Sequence, residues 1–335
     1  MTDRPESSGR RLAEPLVTHI FTADPSARVF DGTVYVYVSH DVPSGRQVDD
    51  TGDHFTMVDY HVLAMASPTR AAEDRGRILH VDDVPWADRQ MWAPDAAYAD
   101  GEYHLYFPAK TSDGRFLIGA AHSASPVGPF IPDPEPVAGA YSIDPAVFAD
   151  AGAHYLYFGG LWGGQLQHYR DNVRDAANGE PAEDSPALGP RVARLAEDMR
   201  GLAEPSREVV ILDEAGRPLR AGDHDRRFFE GTWVHKHLGR YYLSWSTGNT
   251  HLICYAVGDD PYGPFTFGGQ VLAPVVGWTT QHSICEFGGR WYLYYHDSTL
   301  SGGATELRCA KVTELHHDSE GRIVPVDPAT APAPE

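Results

Sequence analysis

From Arg227 to Trp245 the chain alternates apolar and polar positions in a period of two. Glu230 heads the run Thr232-Trp233-Val234-His235, a turn follows at Gly239, and Tyr241-Tyr242-Leu243-Ser244-Trp245 forms the return, the pattern of a β-hairpin. Four other stretches have the same build: Asp24 through Gly32 to Val34–Tyr37, Ala93 through Gly101 to Tyr103–Tyr106, Asp144 through Gly152 to Tyr155–Phe158, and His282 through Gly288-Gly289 to Trp291–Tyr294. In the first three the lead residue stands 8 positions before its glycine; the offset is 9 for Glu230 and 6 for His282, so the repeat is degenerate. Successive lead residues are 69, 51, 86 and 52 positions apart, close to the length of a four-stranded blade with its loops. One aromatic-rich hairpin per unit, repeated five times, predicts an all-β five-bladed β-propeller. Equivalent positions of the innermost strands converge on the axis of such a ring, so Asp24, Ala93, Asp144, Glu230 and His282 are expected to surround one mouth of the channel.

Turn chemistry supports the repeat independently. Ala124-Ser125-Pro126-Val127-Gly128-Pro129-Phe130 and Asp259-Asp260-Pro261-Tyr262-Gly263-Pro264-Phe265 read as the same turn closing different blades. Between Asp171 and Asp198 the pattern breaks into an Ala-, Asp- and Glu-rich stretch with three prolines, read as an insertion over one blade and a candidate part of the site wall. The expected boundaries are a disordered polar segment over 1–14, a single propeller over 15–326 and a disordered Ala/Pro tail over 327–335. A net charge of −20 in 335 residues argues against nucleic acid or an anionic membrane as partner. Cys254, Cys285 and Cys309 are an odd number without zinc-ligand spacing and read as buried reduced thiols. With no apolar core in the first 14 residues, they point to the cytoplasm and to an imported, small substrate.

Three acids on one rim define the candidate chemistry. Glycoside hydrolysis uses one carboxylic acid to protonate the leaving oxygen and one carboxylate to activate water or attack the sugar. A third negative charge nearby holds the proton on the acid. Glutamate reaches further than aspartate, which assigns Glu230 as acid, Asp24 as base, and Asp144 as the group that tunes and orients Glu230. Alone, each Asp-Pro pair reads as a turn, and Glu230 as a partner of Arg226 or Arg227. Their equivalence within the repeat favours a shared site, because unpaired acids gathered on one ring are costly to desolvate. Trp92 and Trp162, beside the second and third hairpins, are candidates to stack on a sugar face. Arg308, in a last strand that would close the ring, could fork onto substrate hydroxyls or pair with the rim acids. His282 reads either as a satisfied core histidine or, with water, as the holder of an axial ion such as calcium, which ordinarily prefers oxygen donors.

The chain resembles glycoside hydrolase family 43, in its xylosidase/arabinosidase branch, from about residue 15 to 326. The resemblance rests on Phe21-Thr22-Ala23-Asp24-Pro25-Ser26-Ala27, Ser39-His40-Asp41, Gly52-Asp53-His54-Phe55, Met57-Val58-Asp59-Tyr60-His61-Val62 and Val84-Pro85-Trp86-Ala87. It continues in Tyr141-Ser142-Ile143-Asp144-Pro145-Ala146-Val147, in the run from Phe158 to Gln167, in Arg226-Arg227-Phe228-Phe229-Glu230 and from Leu272 to Thr280. It implies a five-bladed propeller, inverting exo-hydrolysis of terminal β-D-xylose or α-L-arabinofuranose from short xylan- or arabinan-derived oligosaccharides, and the roles assigned above to Asp24, Asp144 and Glu230. It also implies a calcium ion near His282, Arg308 as a sugar contact, and no organic cofactor. Two other readings share the architecture: a retaining hydrolase of fructosides and a non-catalytic carbohydrate-binding propeller. Sucrose turnover would identify the first; the second would bind ligand without turning it over.

Overall fold

The computed structural model describes residues 13–278 and 281–328. Positions 1–12 and 329–335 of the expected terminal segments lie outside the described residues, as do Thr279 and Thr280. The described chain is a ring of five antiparallel blades, as the hairpin repeat predicts. Blade I is built of Phe21–Phe30, Thr33–Asp41, Asp59–Met65 and Glu73–His80, and blade II of Asp95–Ala99, Glu102–Lys110, Phe116–Ser123 and Ile131–Pro132. Blade III comprises Ala146–Asp150, Ala153–Phe158, Arg191–Arg194 and Arg207–Glu208, and blade IV comprises Glu230–His237, Arg240–Ser246, Ile253–Gly258 and Phe265–Leu272. Ile211–Leu212 adds a short parallel strand to the outer edge of blade IV. Blade V has Ser283–Phe287, Arg290–Asp297 and Cys309–Leu315.

One boundary differs from the sequence expectation. The irregular stretch read as running to Asp198 ends sooner, because Arg191–Arg194 is the third strand of blade III and buries Val192 and Ala193. Only four residues long and next to Pro190, that strand offers too few alternations to stand out from its surroundings. The stretch opens on a short hairpin, in which Val173–Arg174 pairs with Tyr169–Arg170 just before it.

Blades pack through the residues that alternate out of each sheet. Tyr37, Tyr60, Val62 and Ile78 of blade I meet Leu105, Phe107 and Ala121 of blade II. On the opposite face of blade I, Val34, Val36, Val38 and Leu63 meet Tyr294, Ala310 and Val312 of blade V. Ring closure uses the start of the chain. The backbone N–H groups of Ala13, Leu16 and Thr22 donate to the carbonyls of Val312, Ala310 and Arg308 at 2.8, 2.8 and 2.9 Å, so residues 13–22 run along the last strand.

The inner strands are pinned together by a buried polar network. Arg28 Nε donates to Asp95 Oδ1 at 2.9 Å, Arg28 Nη2 to the Val147 carbonyl at 2.6 Å, and the Val147 N–H to Asp95 Oδ2 at 2.6 Å. Ser26 also hydrogen-bonds to Asp95, while Ser283 Oγ donates to the Pro25 carbonyl at 2.7 Å. Blades I, II, III and V are thereby tied by polar contacts. Because Asp95 is fully buried, its partners are needed to offset its desolvation.

Candidate active site

The rim acids sit where their strands depart from regular pairing. In blade I the register between the first two strands shifts between Ala23 and Ser26, and Asp24 there has a φ of +53°. Asp144 has a φ of +56°, and the first strand of blade IV shifts register between Glu230 and Trp233. Aspartate tolerates the left-handed region better than most residues, and a bulge re-aims the side chain it carries. Short polar residues at strand starts therefore turn inward here.

Asp24 is gripped from two blades. Ser39 Oγ donates to its Oδ2 at 2.9 Å and Arg308 Nη1 to its Oδ1 at 3.0 Å, while its own N–H donates to His296 Nδ1 at 3.0 Å. That last bond makes Nδ1 the acceptor, so His296 Nε2 carries the proton and faces the Trp278 carbonyl at 3.2 Å. Burial, reinforced by Arg308, pushes the His296 pKa down to about 3. Arg308 is held in turn by Asp41, which accepts from Nε at 2.9 Å, from Nη2 at 2.8 Å and from the Arg308 backbone N–H at 2.8 Å. Burial works against the guanidinium charge, yet Asp24 and Asp41 outweigh it and raise the Arg308 pKa further. The fork is thus committed to two carboxylates, as the ion-pair reading of Arg308 requires, and the residue also lines the pocket.

Asp144 and Glu230 have partners of their own. Asp144 Oδ2 accepts the Gly231 N–H at 2.8 Å, and Glu230 Oε1 accepts Trp278 Nε1–H at 3.1 Å. Burial, then the charges of Glu230 and Asp24, raises the Asp144 pKa well above the carboxylate range. Glu230 is raised to about 7, by burial first and then by Asp24, against the opposing Trp278 hydrogen bond and Arg308. Desolvation outranks neighbouring charge as the cause of this shift. Arg227 pairs with Glu180 at 3.3 Å and Arg226 with Glu214 and Asp223, which leaves Glu230 to the pocket.

These groups open onto a cavity of about 190 Å³. Asp24, Ala93, Asp144 and Glu230 line it, so four of the five lead residues meet at one mouth as the repeat predicts. His282 does not: it is completely buried outside the lining, with Nε2 2.6 Å from Ser244 Oγ. Its smaller offset from the following turn places it differently from the other leads. Trp92 and Trp162 both line the cavity. The Trp92 indole N–H donates to the Phe55 carbonyl at 3.0 Å, and that of Trp162 to Glu180 Oε1 at 2.7 Å, so Glu180 of the irregular stretch does support the wall.

Sequence reasoning missed Trp278, His54, Phe55, Asp41 and His296. Asp41 and Trp278 lie inside the runs that carry the family resemblance, but neither occupies a repeat-equivalent position that would have marked it. The three cysteines are unpaired, with Cys254 and Cys309 buried and Cys285 half-buried.

The sequence profile of glycosyl hydrolases family 43 matches residues 15–269. The chain is 56% identical to xylosidase/arabinosidase 43A of Humicola insolens over 94% of its own length and 99% of that protein. Among solved structures, the GH43_1 enzyme from Xanthomonas citri superposes with a TM-score of 0.91 at 64% identity, covering 96% of both chains, and has been seen with xylose and with xylotriose. A β-xylosidase/α-arabinofuranosidase from a compost microbial metagenome, solved with xylotriose in a calcium-free form, superposes with a TM-score of 0.93 at 57% identity over 96% of this chain and 98% of that one. On the match of fold and sequence over almost its whole length, the chain belongs to glycosyl hydrolases family 43 and is a glycoside hydrolase.

Proposed function

We propose that the protein is an exo-acting, inverting hydrolase that releases terminal β-D-xylose and α-L-arabinofuranose from short xylan- or arabinan-derived oligosaccharides. The observation that carries this reading is the convergence of Asp24, Asp144 and Glu230, from three blades, on one small aromatic-walled cavity. The high-identity relatives named as xylosidase/arabinosidases support the choice of sugars. Asp24, both oxygens addressed by donors, is the base that takes a proton from water. Glu230, its pKa near 7, keeps a proton to give the departing oxygen. Asp144, hydrogen-bonded to the N–H beside Glu230, fixes the acid's backbone, while the neighbouring charge that raises Glu230 is that of Asp24. Trp92 and Trp162 offer ring faces to the sugar. Inversion needs room for the water, so the two working carboxyls stand about 6.5–9.5 Å apart in such enzymes.

For an axial ion, His282 offers one suitable donor. Burial drives its pKa to about 3, and Nδ1 is buried without a hydrogen-bond partner. Calcium takes mainly oxygen ligands, so His282 would be a single protein ligand in a shell completed by water. Such an ion would supply positive charge on the axis, favouring ionised carboxylates nearby. The unpaired cysteines fit a reducing compartment, and the cytoplasm is the proposed location.

The test is proton NMR of the sugar as it first forms from xylobiose and from an aryl α-arabinofuranoside. The configuration opposite to that of the substrate is expected; retention would refute the single displacement, and turnover of sucrose would point to the retaining fructoside hydrolase. Glu230→Ala should slow poor leaving groups far more than activated aryl glycosides, and equal losses on both would remove Glu230 from the acid role.

A further inference from the structure

Blade I carries a second cluster of ligand-type side chains that the hydrolytic reading does not use. His40 lies on its second strand, Asp59 and His61 on its third, and one donor atom from each falls within 4.8 Å of the other two. The His40 and His61 rings stand edge to face with centroids 5.1 Å apart. Each imidazole is oriented through Nδ1: that of His40 is 2.8 Å from Asp59 Oδ1, and that of His61 is 3.0 Å from Asp74 Oδ1. Asp74 is itself fixed by the Gly76 N–H at 2.8 Å and by His19 Nε2 at 2.9 Å. When Nδ1 donates to a carboxylate, Nε2 bears the lone pair. Among the described residues, neither Nε2 nor Asp59 Oδ2 has a hydrogen-bond partner.

A carboxylate–imidazole pair with its second nitrogen open is the arrangement that orients histidine toward a metal, as Asp74 does for His61; His40 would ligate instead through Nδ1, exchanging its hydrogen bond to Asp59 Oδ1 for a shared ion. We propose that His40, His61 and Asp59 form a binding site for a zinc-class divalent transition metal, with Asp74 as the orienting carboxylate of His61. Two nitrogens and one oxygen select such an ion over calcium or magnesium, which favour all-oxygen shells. Ligands at about 2.0–2.2 Å from a tetrahedral ion lie closer together than the widest part of the present span, so binding requires His61 to approach the His40–Asp59 pair. The fourth position would hold water. The site faces away from the pocket. His40 is flanked in sequence by Ser39 and Asp41, whose side chains turn the other way to hold Asp24 and Arg308. An ion there would brace the strand that positions them.

The test is zinc uptake by the full-length, chelator-stripped protein, followed by equilibrium dialysis with metal analysis, using zinc chloride alone. One equivalent per chain is expected, retained in His282→Gln and in His317→Gln. The latter matters because His235 and His317 bring Nε2 atoms within 3.4 Å and are the competing location. His61→Gln should lose the equivalent, and Asp74→Asn should weaken it about 10–100-fold. X-ray absorption at the zinc edge of the unmodified protein reads the shell without any variant. Two imidazoles with oxygen are expected. No stoichiometric uptake, uptake kept by folded His61→Gln or lost in His317→Gln, or a shell with sulfur or a single imidazole overturns the proposal.

Discussion

As the proposed acid, Glu230 has to hold a proton at the pH at which the enzyme works, and the pocket achieves this mainly by withholding water. With its pKa near 7, kcat/KM should fall above neutral pH as Glu230 ionises. The Trp278 N–H favours the ionised form. Removing it in Trp278→Phe should therefore move the alkaline limb to higher pH; a limb that stays put or moves down would mean another group controls it. The same shift has a stability consequence with a definite sign. A carboxyl raised from 4.5 when unfolded to about 7 when folded leaves the native state at full strength below about pH 4.5 and weakens it as pH climbs through 7. Glu230→Gln cannot titrate, so its unfolding free energy should match the wild type near pH 4 and exceed it at pH 8 by about 3 kcal/mol, read as a higher melting temperature there. Equal melting curves at both pH values would mean that burial does not hold the Glu230 carboxyl protonated. The three acids were legible in the sequence because a repeat aligns them. Trp278, Asp41 and His296 were not, since each acts from outside the repeat frame, Trp278 and His296 on an acid and Asp41 on the arginine that holds one, and such contacts exist only once blades are closed. His282 was aligned by the same logic yet lies off the pocket, so equivalence in a degenerate repeat is weakest where the spacing is most contracted.

At the scale of the element, the site depends on irregular backbone set against regular sheet. The turn after the second strand of blade III illustrates this. A side chain at Gly160 would bring its Cβ within 2.6 Å of Ile143 Cδ1 and 3.0 Å of Glu230 Cβ; at Gly163 it would come within 2.6 Å of the Thr51 carbonyl oxygen. The turn can lie against the pocket only because these positions lack side chains. Gly160→Ala is expected to cost about 1–3 kcal/mol through overpacking. Its effect on kcat should be larger, roughly tenfold to a hundredfold, because the displaced neighbour is the proposed acid. Steady-state kinetics alongside a denaturant titration separate the two. If kcat is unchanged while stability falls, Ile143 absorbs the strain and Glu230 does not move. Hairpins of eight or nine alternating residues were readable from pattern alone. The four-residue third strand of blade III was not, since its place is decided by pairing with Tyr155–Phe158, a contact across more than thirty residues.

On the scale of the whole molecule, the ring is sealed between its first and last blades, and the proposed base sits on that seam. Thr22 donates its N–H to the Arg308 carbonyl, and Thr22 Oγ1 accepts the Ala310 N–H at 3.1 Å. Two residues on, Asp24 receives the Arg308 guanidinium. Closure and catalysis thus share a few residues, with Leu16 and Val17 buried alongside them against blades I and V. Loosening this seam should disturb the Asp24–Arg308 pair before the remaining blades lose their packing. Leu16→Ala removes a buried side chain at the seam, and Leu156→Ala removes one from blade III, away from it; each is expected to cost about 2–5 kcal/mol. Local opening needs less free energy than global unfolding where few contacts hold an element. In Leu16→Ala, activity should therefore decline on heating several degrees before the far-ultraviolet circular dichroism transition, whereas in Leu156→Ala the two should coincide. Coincident curves in both variants would mean the ring opens and unfolds as one unit. The seam would then confer no special fragility on the base.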